Sequence, residues 1–134
     1  MSSAIKHSKI QLDWYEELCQ RLDVIKQGAA EYADEGEMLP PSGLYEFAKQ
    51  TVQDLRQLAG FPNLSTPDVW LGPDGEIGIT WELADRSLEL MFFDLTVMAR
   101  LTIDSNESVL QRNVIPLELK KFADLFVNSD RRIK

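Results

Sequence analysis

Cysteine and histidine are scarce in this sequence: it contains one of each, Cys19 and His7. A single cysteine excludes an internal disulfide and any metal site built from several thiolates. A single histidine removes most arrangements in which a nucleophile is paired with an imidazole base. Cys19 borders an apolar helical stripe, so we interpret it as a buried, inert thiol. His7 has no partner in view, and we interpret it as an unconstrained surface side chain.

Long apolar runs are also absent. No stretch approaches the ~20 apolar residues that span a bilayer. Residues 1–10 lack the apolar core of a secretory signal. We therefore expect a cytoplasmic protein with a single domain over residues 1–134, in which residues 1–9 and 129–134 are flexible.

Positive charge is scarce: 14 Lys and Arg stand against 22 Asp and Glu, for a net charge of −8. An acidic domain gains no affinity by releasing counterions from a phosphate backbone, so direct nucleic-acid binding is disfavoured. The same charge favours attraction to a basic protein. Hydrophobic residues at 44% and charged residues at 27% are ordinary for a folded globular domain.

The first half of the chain is predicted to form two amphipathic helices. Apolar residues recur at steps of three and four over residues 10–32, which indicates one helix face. A second such stripe runs over residues 44–59, with Ser42 as the predicted N-cap. Gly60 is the predicted left-handed residue that ends this helix.

From residue 67 the apolar period changes to two, which indicates strands. We predict strands over residues 68–71, 76–83, 88–93, 96–103 and 109–114, followed by a helix from Pro116. Even-length turns would place Trp70 on one apolar face with Ile77, Ile79 and Trp81. The predicted fold class is α+β: an antiparallel β-meander of four to five strands, with two N-terminal helices and one C-terminal helix packed on one face.

The opposite face of this sheet is more apolar than a solvent-facing sheet requires. In the predicted register Met91 lies across from Met98, Phe93 across from Gly78, and Glu89 across from Arg100. The pattern predicts an adaptable, methionine-rich centre with a charged border, which suits a protein interface. The alternative is that the C-terminal segment covers this face, or that the apolar run is simply a moderately exposed sheet surface. The candidate partner-binding residues are Met91, Met98, Phe93, Val69, Glu89 and Arg100.

The sequence has no nucleophile elbow, Walker loop, dinucleotide-binding fingerprint, CxxC pair or HExxH motif. Glu82 and Glu89 are predicted cross-strand neighbours, an arrangement more typical of a solvated edge than of an acid–base pair. The carboxylates at residues 34–37 lack the alternating spacing of a calcium loop. We therefore predict no catalytic, cofactor or metal site.

The residues PDVWLGPDGEIGITW at 67–81, followed by Leu88-Glu89-Leu90, form a distinctive segment. Together with Asp34-Glu35-Gly36 and Pro40-Pro41-Ser42 upstream, it resembles a pattern in many small, uncharacterised bacterial proteins. The resemblance covers about residues 34–101 and departs from the pattern at Glu76, Thr80 and Asp94-Leu95. It implies a shared hairpin fold, a bacterial or phage origin and a small, non-enzymatic accessory role, and it brings no established activity.

Three functional hypotheses follow. The first is a non-enzymatic protein–protein interaction module, with a homodimer through the open sheet face as one form. The second is an acidic inhibitor, such as an antitoxin or immunity protein, that binds a basic protein. The third is an enzyme that uses carboxylates in a groove between the second helix and the sheet; the missing catalytic motifs count against it.

Overall fold

The computed structural model describes residues 13–32, 39–58, 60–93, 96–103, 107–111 and 116–128. Within these ranges the chain forms three α-helices and a five-stranded antiparallel sheet, which confirms the predicted α+β class. The predicted flexible ends, His7 and the carboxylates at residues 34–37 all lie outside these ranges.

The first helix, α1, spans Trp14–Tyr32. At its start Asp13 accepts a hydrogen bond from the Glu16 backbone N–H at 2.9 Å, which satisfies one of the unpaired donors of the first turn. The predicted first residues of this helix, 10–12, lie outside the described part of the chain. Its apolar stripe faces the core as predicted, with these residues buried or half-buried: Trp14, Leu18, Leu22 and Ile25.

The second helix, α2, spans Ser42–Leu55, and its two predicted boundaries need correction. Ser42 is not the N-cap: Pro41 occupies that position in an extended conformation (φ −60°, ψ 145°) with no side-chain cap hydrogen bond. The helix also ends earlier than predicted. Gly60 does adopt a positive φ of 89°, but it serves the turn into a short 3-10 helix, Phe61–Asn63, rather than the end of α2.

The five strands follow one another in space in the order of the chain, which confirms the meander. Three strands differ from their predicted bounds: the second begins one residue later, and the third and the fifth each begin two residues earlier. The predicted residues 112–114 of the fifth strand lie outside the described ranges. The strands are β1 (Asp68–Leu71), β2 (Ile77–Leu83), β3 (Arg86–Phe93), β4 (Thr96–Ile103) and β5 (Glu107–Gln111).

The turn between β1 and β2 contains five residues, 72–76, instead of the predicted four. The Gly72 N–H donates to the Glu76 carbonyl at 2.9 Å, so these two residues close the turn. Gly75 supplies a positive φ of 86°, and the Glu76 carboxylate accepts the Asp74 N–H at 2.9 Å. An odd turn length reverses which face of the sheet each β1 side chain occupies.

The last helix, α3, spans Pro116–Asn128 and buries Leu119, Phe122, Ala123 and Phe126, as its stripe predicts. These residues belong to the same buried cluster as the stripes of α1 and α2 and one face of β2, β3 and β4. No helix in the described part of the chain is long and apolar enough to cross a membrane.

Candidate functional site

The odd turn exchanges the two central side chains of β1. Val69 pairs with Ile79 and Trp70 pairs with Gly78. Val69 packs against the core, so its prediction as an open-face residue is wrong. Trp70, predicted to be a core anchor, lies instead on the open face and is half-buried. The sequence signal was Gly78: a glycine inside a strand often marks the close approach of another group.

The open face carries a line of side chains across four strands, which we call the apolar row. It consists of Trp70, Gly78, Met91 and Met98, each paired with the next. Met91 lies across from Met98 as predicted. Phe93 does not lie across from Gly78; it pairs with Thr96 and is 38% exposed, next to the apolar row.

Trp70 and Gly78 fit together as a packed unit. The indole lies where a Cβ on Gly78 would be, so the ring covers the bare backbone of β2. A ring held in this way presents a rigid apolar surface. Such amphipathic rings are enriched in protein interfaces.

A second line, which we call the charged row, runs beside the apolar row. It consists of Asp68, Thr80, Glu89 and Arg100. Glu89 and Arg100 pair across β3 and β4 as predicted, with 4.0 Å between carboxylate oxygen and guanidinium nitrogen. Both residues border a depression of about 40 Å³ with Met91 and Met98. The charged row therefore lies along one side of the apolar row.

Two carboxylates, Asp68 and Glu82, line a depression of about 110 Å³ at the start of β1, together with hydroxyl side chains. Glu82 lies across from Ser87, so the predicted direct pairing of Glu82 with Glu89 is wrong. The depression is at the edge of the sheet and not between α2 and the sheet. Within the described ranges, no cluster of three or more His, Cys, Asp or Glu could hold a metal ion.

Cys19 is half-buried on α1, not fully buried as predicted. Burial raises the pKa of Tyr15, and a hydrogen bond with Cys19 raises it further. The Lys49 ammonium, which binds Asp23 at 2.6 Å, also interacts electrostatically with Cys19. Burial lowers the pKa of Lys49, but the bond and charge of Asp23 outweigh it and leave the pKa raised. The ion pair between Asp23 on α1 and Lys49 on α2 therefore links these two helices.

Comparison of the chain with models of protein families, with curated proteins and with solved structures finds no match. The resemblance of residues 34–101 to small bacterial proteins therefore stays a prediction.

The contact between Trp70 and Gly78 gives a direct test of the open face. We expect Gly78→Ala to cost about 1–2 kcal/mol, because the new methyl group must displace the indole. Chemical denaturation gives the stability, and tryptophan fluorescence reports greater exposure of the ring. Gly43→Ala is the matched control: apart from the neighbouring backbone of α2, no atom of the described residues lies within 4 Å of a Cβ at that position, so the same change stabilises by about 0.5–1 kcal/mol. Equal effects at the two glycines would show that Trp70 does not cover Gly78.

Proposed function

We propose that the chain is a non-enzymatic protein–protein interaction module and that its partner binds the open face of the sheet. The observation that carries this proposal is the apolar row, with Phe93 beside it. Trp70, Met91 and Met98 are only half-buried there, and Phe93 is exposed. Apolar side chains gathered on one face gain free energy when a partner removes them from water.

The size of the patch indicates what else the partner contacts. The apolar row and Phe93 beside it span four strands at ~4.8 Å spacing and about four residues along each strand, which gives this patch an area of roughly 200 Å². A standard interface buries ~800 Å² on each partner. A stable complex must therefore extend over the charged row as well.

The charged row favours a partner with basic side chains. Asp68 and Glu89 outnumber Arg100, and Glu82 extends the acidic side of the face. A second copy on the same face would place these carboxylates near their own equivalents. A basic protein would instead find complementary charge beside an apolar contact.

The second candidate function is an acidic inhibitor. Its partner would also be a basic protein, but specifically one whose activity this chain blocks. The net charge of −8 supports it, because long-range attraction to a basic target speeds association. Antitoxins and immunity proteins belong to this class. Their complexes weaken as salt rises, since dissolved ions screen exposed charges.

Affinity copurification of the tagged protein from its own cells, at low and high salt, tests both proposals. Wild type should retain a stoichiometric basic protein, and Met91→Lys with Met98→Lys should lose it while keeping the circular dichroism spectrum. Gln27→Lys with Gln57→Lys adds the same charge at exposed sites elsewhere and should retain the partner.

The two salt conditions separate the candidates. Loss of the partner at high salt favours the acidic inhibitor, and retention favours binding dominated by the apolar row. Equal capture by the Met91 and Met98 double variant would remove the open face from the proposal. Recovery of the protein alone would contradict a dedicated protein partner.

A further inference from the structure

The outer side of β1 carries backbone groups that the described chain leaves unpaired. β1 is an edge strand that pairs with β2 alone. Gly72 points its N–H toward β2, where it reaches Glu76. The backbone N–H and C=O groups of successive residues in a strand point to opposite sides of it. Those of Asp68 and Trp70 therefore also point toward β2, while those of Val69 and Leu71 point away from it.

Arg21 supports this assignment independently. Its guanidinium donates to the Pro67 carbonyl at 2.8 Å, and Pro67 lies two residues before Val69 on the same outward side. Within the described ranges, no backbone hydrogen bond reaches Val69 or Leu71 from that side. Among the described residues, the edge therefore presents four groups without a hydrogen-bond partner: the N–H and the C=O of Val69 and of Leu71.

The sequence around this edge is symmetric about Trp70. Pro67 and Pro73 lie three residues before and after it, and neither has a backbone N–H. An antiparallel copy of β1 aligned on Trp70 places Val69 opposite Leu71 of the second copy. All four free groups of each strand then find partners, and no donor is required of either proline. Alignment on Val69 would instead require an N–H from Pro67.

A depression of about 420 Å³ lies between α1 and β1 beside this edge. Val24 and Ile25 on α1 and Val69 on β1 supply its apolar lining. Val24 is 63% exposed, so a second copy that covers it would remove apolar surface from water. In the alignment on Trp70, Leu71 of a second copy would lie beside Val69, on the side of the sheet that faces this groove.

We propose that two copies of this chain pair through their β1 edges, antiparallel and aligned on Trp70, to form one continuous sheet. Two-fold symmetry is the commonest form of self-association, and an unpaired edge is a ready template for it. The two prolines limit the pairing to a short segment and prevent further strand addition there. The pairing joins the two apolar rows at Trp70 and doubles the open apolar surface. This proposal rests on the outward backbone groups of Val69 and Leu71 and does not depend on the proposed function.

Sedimentation equilibrium over a dilution series measures this pairing. Wild type should reach twice the chain mass of 15.3 kDa and no more. Val69→Pro removes one outward N–H, which an edge position tolerates, and should give a monomer. Val24→Glu should weaken the dimer about tenfold or more, whereas Gln57→Glu, at an exposed site outside the groove, should not.

Hydrogen exchange keeps the proposal testable if Val69→Pro fails to fold. The Val69 and Leu71 amides of wild type should be protected at high concentration and exchange on dilution. A wild type that stays monomeric, or protection that is independent of concentration, would overturn the edge pairing. So would a dimer that survives Val69→Pro or is lost in the Met91→Lys, Met98→Lys variant, because the latter would assign self-association to the open face.

Discussion

Trp81→Ala should lower the free energy of unfolding by about 3–5 kcal/mol, a large part of the ~5–15 kcal/mol of a typical domain. Trp81 is 2% exposed and lies at the centre of the aromatic part of the core. Its ring packs edge-on against Trp14 at 5.8 Å and against Phe61 at 5.3 Å between centroids. These contacts join α1 and the 3-10 helix to β2, so their loss leaves a cavity where three elements meet.

Phenylalanine substitutions separate the packing of the indole rings from their hydrogen bonding. Trp14 donates its indole N–H to the Phe61 carbonyl at 3.1 Å, whereas the N–H of Trp81 is buried with no partner among the described residues. Trp14→Phe loses a hydrogen bond, while Trp81→Phe removes a donor whose burial costs about 1–3 kcal/mol. We therefore expect Trp81→Phe to be the milder change by about 1–2 kcal/mol in urea unfolding. A harsher Trp81→Phe would contradict the unpaired N–H.

The period of apolar residues, together with the turn residues, predicts the three helices and five strands of this fold. Trp14, Leu18 and Leu22 recur at helical spacing and are buried. Strands β1 and β4 have the predicted bounds, because alternation and turn residues both mark their ends. The error at Ser42 has a local cause, since Pro41 already holds an extended conformation at the N-cap and leaves Ser42 as the first helical residue.

The candidate site depended on whether the turn between β1 and β2 has an odd or an even number of residues, and composition does not encode that number. The sequence predicts a four-residue turn over residues 72–75, because Asp74-Gly75 is a common hairpin signal. The bond between Gly72 and Glu76 makes it one residue longer and moves Trp70 to the open face. Met91, Met98, Glu89 and Arg100 were placed correctly, because the short turn before β3 and the pairing of β3 with β4 kept the expected parity.

Trp70 connects the two proposed surfaces. Its ring lies over Gly78 on the open face, and its backbone lies at the centre of the symmetric edge. Pairing of two β1 edges would therefore extend the apolar row across the new seam. That extension supplies area that a single copy lacks for a standard interface. A partner that binds only the dimer would show a steep dependence of capture on protein concentration.

Phe126→Ala should cost about 3–5 kcal/mol, because it removes a fully buried ring from the last helix. Phe126 lies in the final turn of the apolar stripe of α3. Arg86, at the start of β3, donates to the carbonyls of Leu125 and Phe126 at 3.4 and 3.3 Å. These carbonyls belong to the end of α3, where intrahelical partners run out and a positive charge is favourable. The ring and the guanidinium together hold α3 on the sheet.

Leu125→Ala is the matched control for this ring, since Leu125 is its chain neighbour but is 45% exposed. We expect a loss below about 0.5–1 kcal/mol, because little apolar surface leaves water at that position on folding. Urea unfolding gives the two stabilities, and hydrogen exchange shows where the structure opens. In the Phe126 variant, α3 amides should lose protection before those of β2 and β3, because the central strands keep their own core contacts. If the two variants cost the same, or all elements lose protection together, α3 is not anchored through Phe126.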